Sequence, residues 1–133
     1  MVFYQSSCLE IYYEETYKFV ETRWLRFASS QEYRASLAAY LEIIQTHEVR
    51  RWLGDYRQAR VVRLEDQQWA ALTWAPSFFS QAGNIERMAK VNARDIASQI
   101  SAHNMKRDLN EDKLPFLFQE FDNYDQARAW VLQ

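Results

Sequence analysis

The feature that most constrains this chain is an alternation: short runs of β-branched and aromatic residues take turns with helical runs that carry their own start signals. Cys8 to Glu14 reads Cys-Leu-Glu-Ile-Tyr-Tyr-Glu, and Tyr17 to Phe27 sets Phe19, Glu21, Arg23 and Leu25 against Val20, Thr22, Trp24 and Arg26. The short Glu14-Glu15-Thr16 link makes these two a hairpin. Ser29 followed three residues later by Glu32 is a capping-box pattern. Beyond it, Tyr33, Leu37, Tyr40, Leu41 and Ile44 recur at helical spacing to about His47.

Val49 to Asp55 then reads as a buried strand ending in Gly54-Asp55. A second helix is expected from Leu64 to Asp66 onward, with Asp66 as its cap, Trp69, Leu72 and Phe79 on its inward face, and Gly83 as a left-handed terminator. Pro76 must kink or split that helix. Ile85 to Val91 is the next strand. A third helix capped by Asn92 with Asp95 carries Ile96, Ala97, Ile100 and Met105, and Asn110-Glu111-Asp112 is a polar turn. Leu114 to Phe121 is the last strand, and Asp122 with Asp125 caps a final helix holding Tyr124, Ala127, Trp130 and Val131. The expected fold is α/β: a five-stranded mixed sheet with a leading antiparallel hairpin and four helices, built as one domain over residues 1–133.

Composition narrows the function classes. Sixteen Lys and Arg against eighteen Asp and Glu leave a formal charge of −2, so no global field draws in a polyanion, and nucleic acid is not an expected partner. Apolar residues form 48% of the chain, ample for a core, yet no run is long enough to enter a membrane. A single cysteine, Cys8, forms no internal disulfide, and no apolar leader segment is apparent, so a reducing cytoplasm is the expected location.

Few residues advertise chemistry. Cys8 opens an apolar run with no basic neighbour to make it a thiolate, and His47 and His103 stand outside any metal-ligand or triad spacing, so no catalytic set, metal site or cofactor is expected. The carboxylate pairs Glu14-Glu15, Glu65-Asp66 and Glu111-Asp112 read as solvated turns or helix starts. Asp55, Tyr56 and Arg57 follow the end of a strand, where open α/β sheets collect ligands, and Arg94 should border the same edge. An Arg beside an Asp can hold a carboxylate or phosphate; alternatively Asp55 accepts loop N–H groups and Arg57 pairs with it. Helical spacing displaces Trp74 and Phe78 from the Trp69, Leu72, Phe79 stripe. They form an exposed interface patch unless the Pro76 kink folds them into the core.

With Trp52-Leu53-Gly54-Asp55-Tyr56-Arg57 ending the strand, the helix start at Leu64 to Trp69, and the terminal Ala127-Arg128-Ala129-Trp130-Val131-Leu132 helix, the chain resembles the SpoIIAA-like, or STAS-like, domains. It is most similar to small bacterial members in which Trp-Leu-x-Asp-x-Arg closes the third strand. In the anti-sigma-factor antagonists of that family, the second helix opens with Asp-Ser-Ser-Gly and its serine is phosphorylated. This sequence has Glu65-Asp66-Gln67-Gln68 at the matching place, so the resemblance implies the fold and not that switch. Two functions follow. One is a non-enzymatic interaction or regulatory module, a homodimer joined through Trp74 and Phe78, with a possible protein partner. The other is a binder of a small apolar or lipid-like acidic ligand, in a pocket between the second and third helices with Arg57 or Arg94 on the head group. A buried cavity distinguishes them.

Overall fold

In the computed structural model, which describes residues 1–108 and 114–133, the β-like runs assemble into one six-stranded sheet. Its strands β1 (Val2–Gln5), β2 (Leu9–Glu14), β3 (Phe19–Trp24), β4 (Arg51–Asp55), β5 (Arg87–Val91) and β6 (Leu117–Phe121) lie side by side in chain order. β1, β2 and β3 form an antiparallel meander, and β3 through β6 are parallel. The sheet therefore has one strand more than the five expected. Four residues long and irregular in register between Val2 and Tyr4, β1 is too short to show a period. The Ser6 hydroxyl folds it onto β2 by accepting from the N–H groups of Cys8 (3.2 Å) and Leu9 (3.1 Å). The Asn110-Glu111-Asp112 turn lies outside the described residues.

Four helical rods flank the sheet. The first, α1 (Ser30–Thr46), begins with the full capping box: the Ser29 hydroxyl accepts from the Glu32 N–H, and the Glu32 carboxylate accepts from the Ser29 N–H. Such a cap is worth about 1 kcal/mol. α4 (Ile96–Asp108) and α5 (Tyr124–Val131) are capped one to three residues later than the sequence suggested. Asp95 accepts from the Ser98 N–H and Asn123 from the Gln126 N–H, in place of Asn92 and Asp122. α5 packs on one face of the sheet, where Ala127 and Val131 meet Phe19, Leu53, Ala89 and Val91. The other rods cover the opposite face, over Leu9, Ile11, Val20 and Trp52.

The second rod departs most from expectation. It runs as α2 (Leu64–Trp69), a π-helical turn (Ala70–Trp74) and α3 (Ala75–Gln81), with Trp69, Ala70, Trp74 and Ala75 all in the right-handed helical region. Pro76 stands in the first turn of α3, directly after the π turn that divides the rod. A proline ring collides with the carbonyl four residues back, here that of Leu72. The wider turn relieves this by bonding the Ala75 N–H to the carbonyl of Ala70, five residues back.

Nor is the inward stripe the one drawn from the large residues. Leu72 is 66% exposed, whereas Asp66, Gln67, Ala70, Ala71, Ala75, Phe78 and Ala82 are buried. The small and polar positions set the phase at the start of the rod, and the π turn advances it by about one residue. Trp74 and Phe78 therefore do not form an exposed interface patch: Phe78 is 2% exposed, and Trp74 stacks on it with ring centroids 4.8 Å apart. Asp66 is not the cap of α2 either. It is buried and accepts from the Ser30 hydroxyl (2.7 Å), with Arg34 3.5 Å away. Gly83 takes no positive φ.

α4 is likewise turned from its expected face. Ile96 and Ile100 are exposed while Ser98 and Ser101 are buried, because Ser101 bonds the backbone of Val62. No helix among the described residues is long and apolar enough to cross a membrane.

Candidate functional site

The middle of the second rod's inward face is made of the alanines Ala70, Ala71 and Ala75, and space follows from that. Between Ala70, Ala71 and Ala75 of the rod, Ala102 of α4, Tyr33, Leu37 and Tyr40 of α1, and Trp24, Trp52 and Met88 of the sheet lies a cavity of about 240 Å³.

The walls are rings in fixed orientations. Tyr40 lies 5.1 Å from Trp52 and 5.8 Å from Trp74, and Phe78 meets Trp52 edge-on at 5.5 Å. Two indoles are anchored: the Trp24 N–H donates to the Tyr40 hydroxyl (2.9 Å), and the Trp74 N–H to the Leu37 carbonyl (2.8 Å). Buried aromatic pairs so placed gain about 1 kcal/mol beyond the area they cover.

Tyr56 closes the end of the cavity beyond β4, and Gly54 makes room for it. A Cβ at Gly54 would stand 2.7 Å from Tyr56 Cε2, so any larger residue there would push the ring away. Burial raises the pKa of Tyr33, Tyr40 and Tyr56 above the ordinary phenol value, so all three enter the cavity as neutral hydroxyls. The loop from Tyr56 to Arg63 is held by Val62, whose N–H donates to the Ser101 hydroxyl (3.0 Å) and whose carbonyl accepts from Gln67 Nε2 (2.6 Å).

The charged residues that line the cavity are Arg26, Arg60, Lys90, Lys106 and Glu120. Lys90 Nζ lies 5.1 Å from the centre of the Tyr56 ring, and Glu120 stands 3.9 Å from Lys90 and 3.6 Å from Lys106. Charged groups thus stand at the edge of the cavity, and its interior is apolar.

The residues singled out in the sequence are divided by the sheet. Tyr56 lines the cavity. Asp55 points to the opposite face, where it accepts from Arg57 Nε (3.0 Å), Arg57 Nη2 (2.8 Å) and the Arg57 N–H (3.1 Å). Arg57 lies over the ring of Tyr124 at 4.8 Å, and the Tyr124 hydroxyl donates to Glu21 (2.6 Å), which also pairs with Arg23 at 3.0 Å. This network fastens α5 to β3 and β4. Arg57 therefore does not face the cavity, and Arg94 is exposed and outside its lining. Sequence reasoning missed Tyr33, Tyr40, Trp52, Lys90, Lys106 and Glu120. The available signal was Ala70-Ala71 with Ala75 inside an otherwise bulky, aromatic helix.

Among the described residues, no group of three His, Cys, Asp or Glu side chains is placed to hold a metal ion. Cys8 is buried beside Ser6 and Ser36. His47 ends α1, with Thr46 Oγ1 2.9 Å from its ring and Tyr13 packed against it at 4.7 Å. Fold and site define a class: an α/β domain with a mixed sheet and an aromatic cavity beneath its second helical rod. In comparisons with known proteins, no family model, no curated protein and no solved structure matches the chain.

Proposed function

We propose that the protein is a non-enzymatic binding module that holds one small, largely apolar molecule in the cavity under its second helical rod. The observation that carries this reading is the cavity itself, about 240 Å³ walled by oriented rings and kept open by alanines. Ligand sites have this character: concave, mostly apolar, with a few polar groups that set orientation. Neutral hydroxyls of Tyr33, Tyr40 and Tyr56 supply those groups here. The order of elements, an antiparallel start followed by parallel strands joined through helices, supports assignment to the SpoIIAA-like domains. Self-association through Trp74 and Phe78 has lost the exposed surface on which that reading depended.

The test uses a neutral bicyclic probe, 2-naphthylmethanol, followed by calorimetry and tryptophan fluorescence. The protein should bind one equivalent and show quenching of the ring-wall indoles. Ala71→Leu fills the space from the rod, so it should abolish binding and raise stability by about 1 kcal/mol in urea unfolding. Undiminished binding in a stable Ala71→Leu protein would place the probe elsewhere and refute the proposal.

A further inference from the structure

We infer that the occupant is a flat ring compound bearing a carbonyl or like acceptor, and that the Tyr56 hydroxyl donates to it; this rests on the cavity-binding reading above. The polar groups of the wall are donors. Trp24 spends its indole N–H on the Tyr40 hydroxyl (2.9 Å), Trp74 spends its own on the Leu37 carbonyl (2.8 Å), and the Tyr33 hydroxyl donates to Met105 Sδ (3.6 Å). The Tyr56 hydroxyl comes next along from Tyr40, bordered by the Tyr40 hydroxyl and the Trp24 N–H. An N–H at the head of a row of hydroxyls leaves one proton over at its tail, because each hydroxyl that accepts a bond still has its own proton to give. Here the tail is Tyr56, and among the described residues no carbonyl or carboxylate accepts from it. A buried donor without an acceptor is costly, so an occupant that brings an acceptor is favoured over one of the same shape that brings none.

The position of that hydroxyl is fixed. The Tyr56 N–H donates to the Val91 carbonyl (3.0 Å), and the Tyr56 carbonyl accepts from the Ala59 N–H (3.0 Å). Its ring lies over Gly54, where a Cβ would stand 2.7 Å from Cε2, so the absence of a side chain at residue 54 lets the phenol close the end of the cavity. The remaining walls set the body of the occupant. A cavity of about 150 Å³ accepts benzene, so about 240 Å³ takes two fused rings. The Trp74 indole is tied to the Leu37 carbonyl and stacked on Phe78 at 4.8 Å, and Phe78 meets Trp52 edge-on at 5.5 Å. Such fixed faces and edges match a flat ring and not a flexible chain.

The experiment is titration of the full chain at neutral pH, followed by quenching of the ring-wall indoles, with three probes: 2-acetylnaphthalene, 2-isopropenylnaphthalene and 2-decanone. The first two share a shape and differ by a carbonyl oxygen against a methylene. The naphthyl ketone should bind about fivefold more tightly than the hydrocarbon, as one net hydrogen bond allows. Tyr56→Phe keeps the ring and removes only the hydroxyl, so it should bring the ketone down to the affinity of the hydrocarbon and leave the hydrocarbon's own affinity unchanged. The open-chain ketone should bind more weakly than 2-acetylnaphthalene. Equal binding of the two naphthyl compounds by the unaltered protein would overturn the acceptor assignment while leaving the cavity reading intact, and that comparison stands however Tyr56→Phe folds. A ketone preference that survives in folded Tyr56→Phe would overturn the role of Tyr56. An open-chain ketone bound as tightly as 2-acetylnaphthalene would overturn the ring assignment. If neither naphthyl compound binds, the cavity reading fails, and this inference with it.

Discussion

Asp55 shows how one residue divides the work of the two faces. Its side chain is 3% exposed, and burial by itself raises a carboxyl pKa. The bonds from the Arg57 side chain and backbone N–H, with Arg23 3.6 Å away, outweigh burial and hold Asp55 below the usual carboxylate value. A carboxyl whose pKa is depressed on folding stabilises above its unfolded value, and that stability is lost as the pH falls through the folded value. Asp55→Asn should therefore cost about 2 kcal/mol at neutral pH, and the gap should close as both proteins are acidified below about pH 4. A gap that persists at pH 2 in urea titrations would mean that shape, not charge, is at stake. Asp55 and Arg57 illustrate what spacing alone leaves open. Adjacency allowed either a mutual pair or an anion site, and only the strand register decides between them, because residues 54 and 55 of β4 face opposite layers.

At the scale of elements, the π turn explains both the misread stripe and the survival of the helix through Pro76. Such a turn acts as a one-residue insertion into an α-helix and leaves its flanks in phase with what they pack on. Deleting Leu72, which is mostly exposed, should restore a regular helix while Ala71 and Phe78 keep their places. The shortened protein should retain helical circular dichroism but lose about 3 kcal/mol, because a regular helix returns the Pro76 ring to the carbonyl four residues back. Stability equal to the parent's in urea unfolding would show that the π turn does not relieve Pro76. Helix periods were legible where a large apolar stripe faces the sheet, as in α1 with Tyr33, Leu37 and Tyr40, although the stripe closes on Ile43 and not on Ile44. They misled where the inward face is small or polar, as with Ala70 and Ala71 in the rod and Ser98 and Ser101 in α4. Hydrophobic patterning ranks residues by size and polarity; a helix that faces a cavity instead of a core inverts that ranking.

Across the whole molecule, the order of strands and helices was readable because runs of strand and helix period alternate, while β1 escaped because a four-residue edge strand is too short to show a period. The cavity was not readable as a volume, since it is assembled from α1, the second rod, α4 and four strands that share no local pattern. Only its prerequisites stand in the sequence, many rings and a few clustered alanines. Whether a ligand occupies this space decides the function of the molecule. The most direct measurement is a crystal structure of the protein with 2-naphthylmethanol. The predicted result is ring density between Trp52 and Trp74. Side chains of the protein collapsed into an otherwise vacant space, or a probe bound anywhere else, would contradict it.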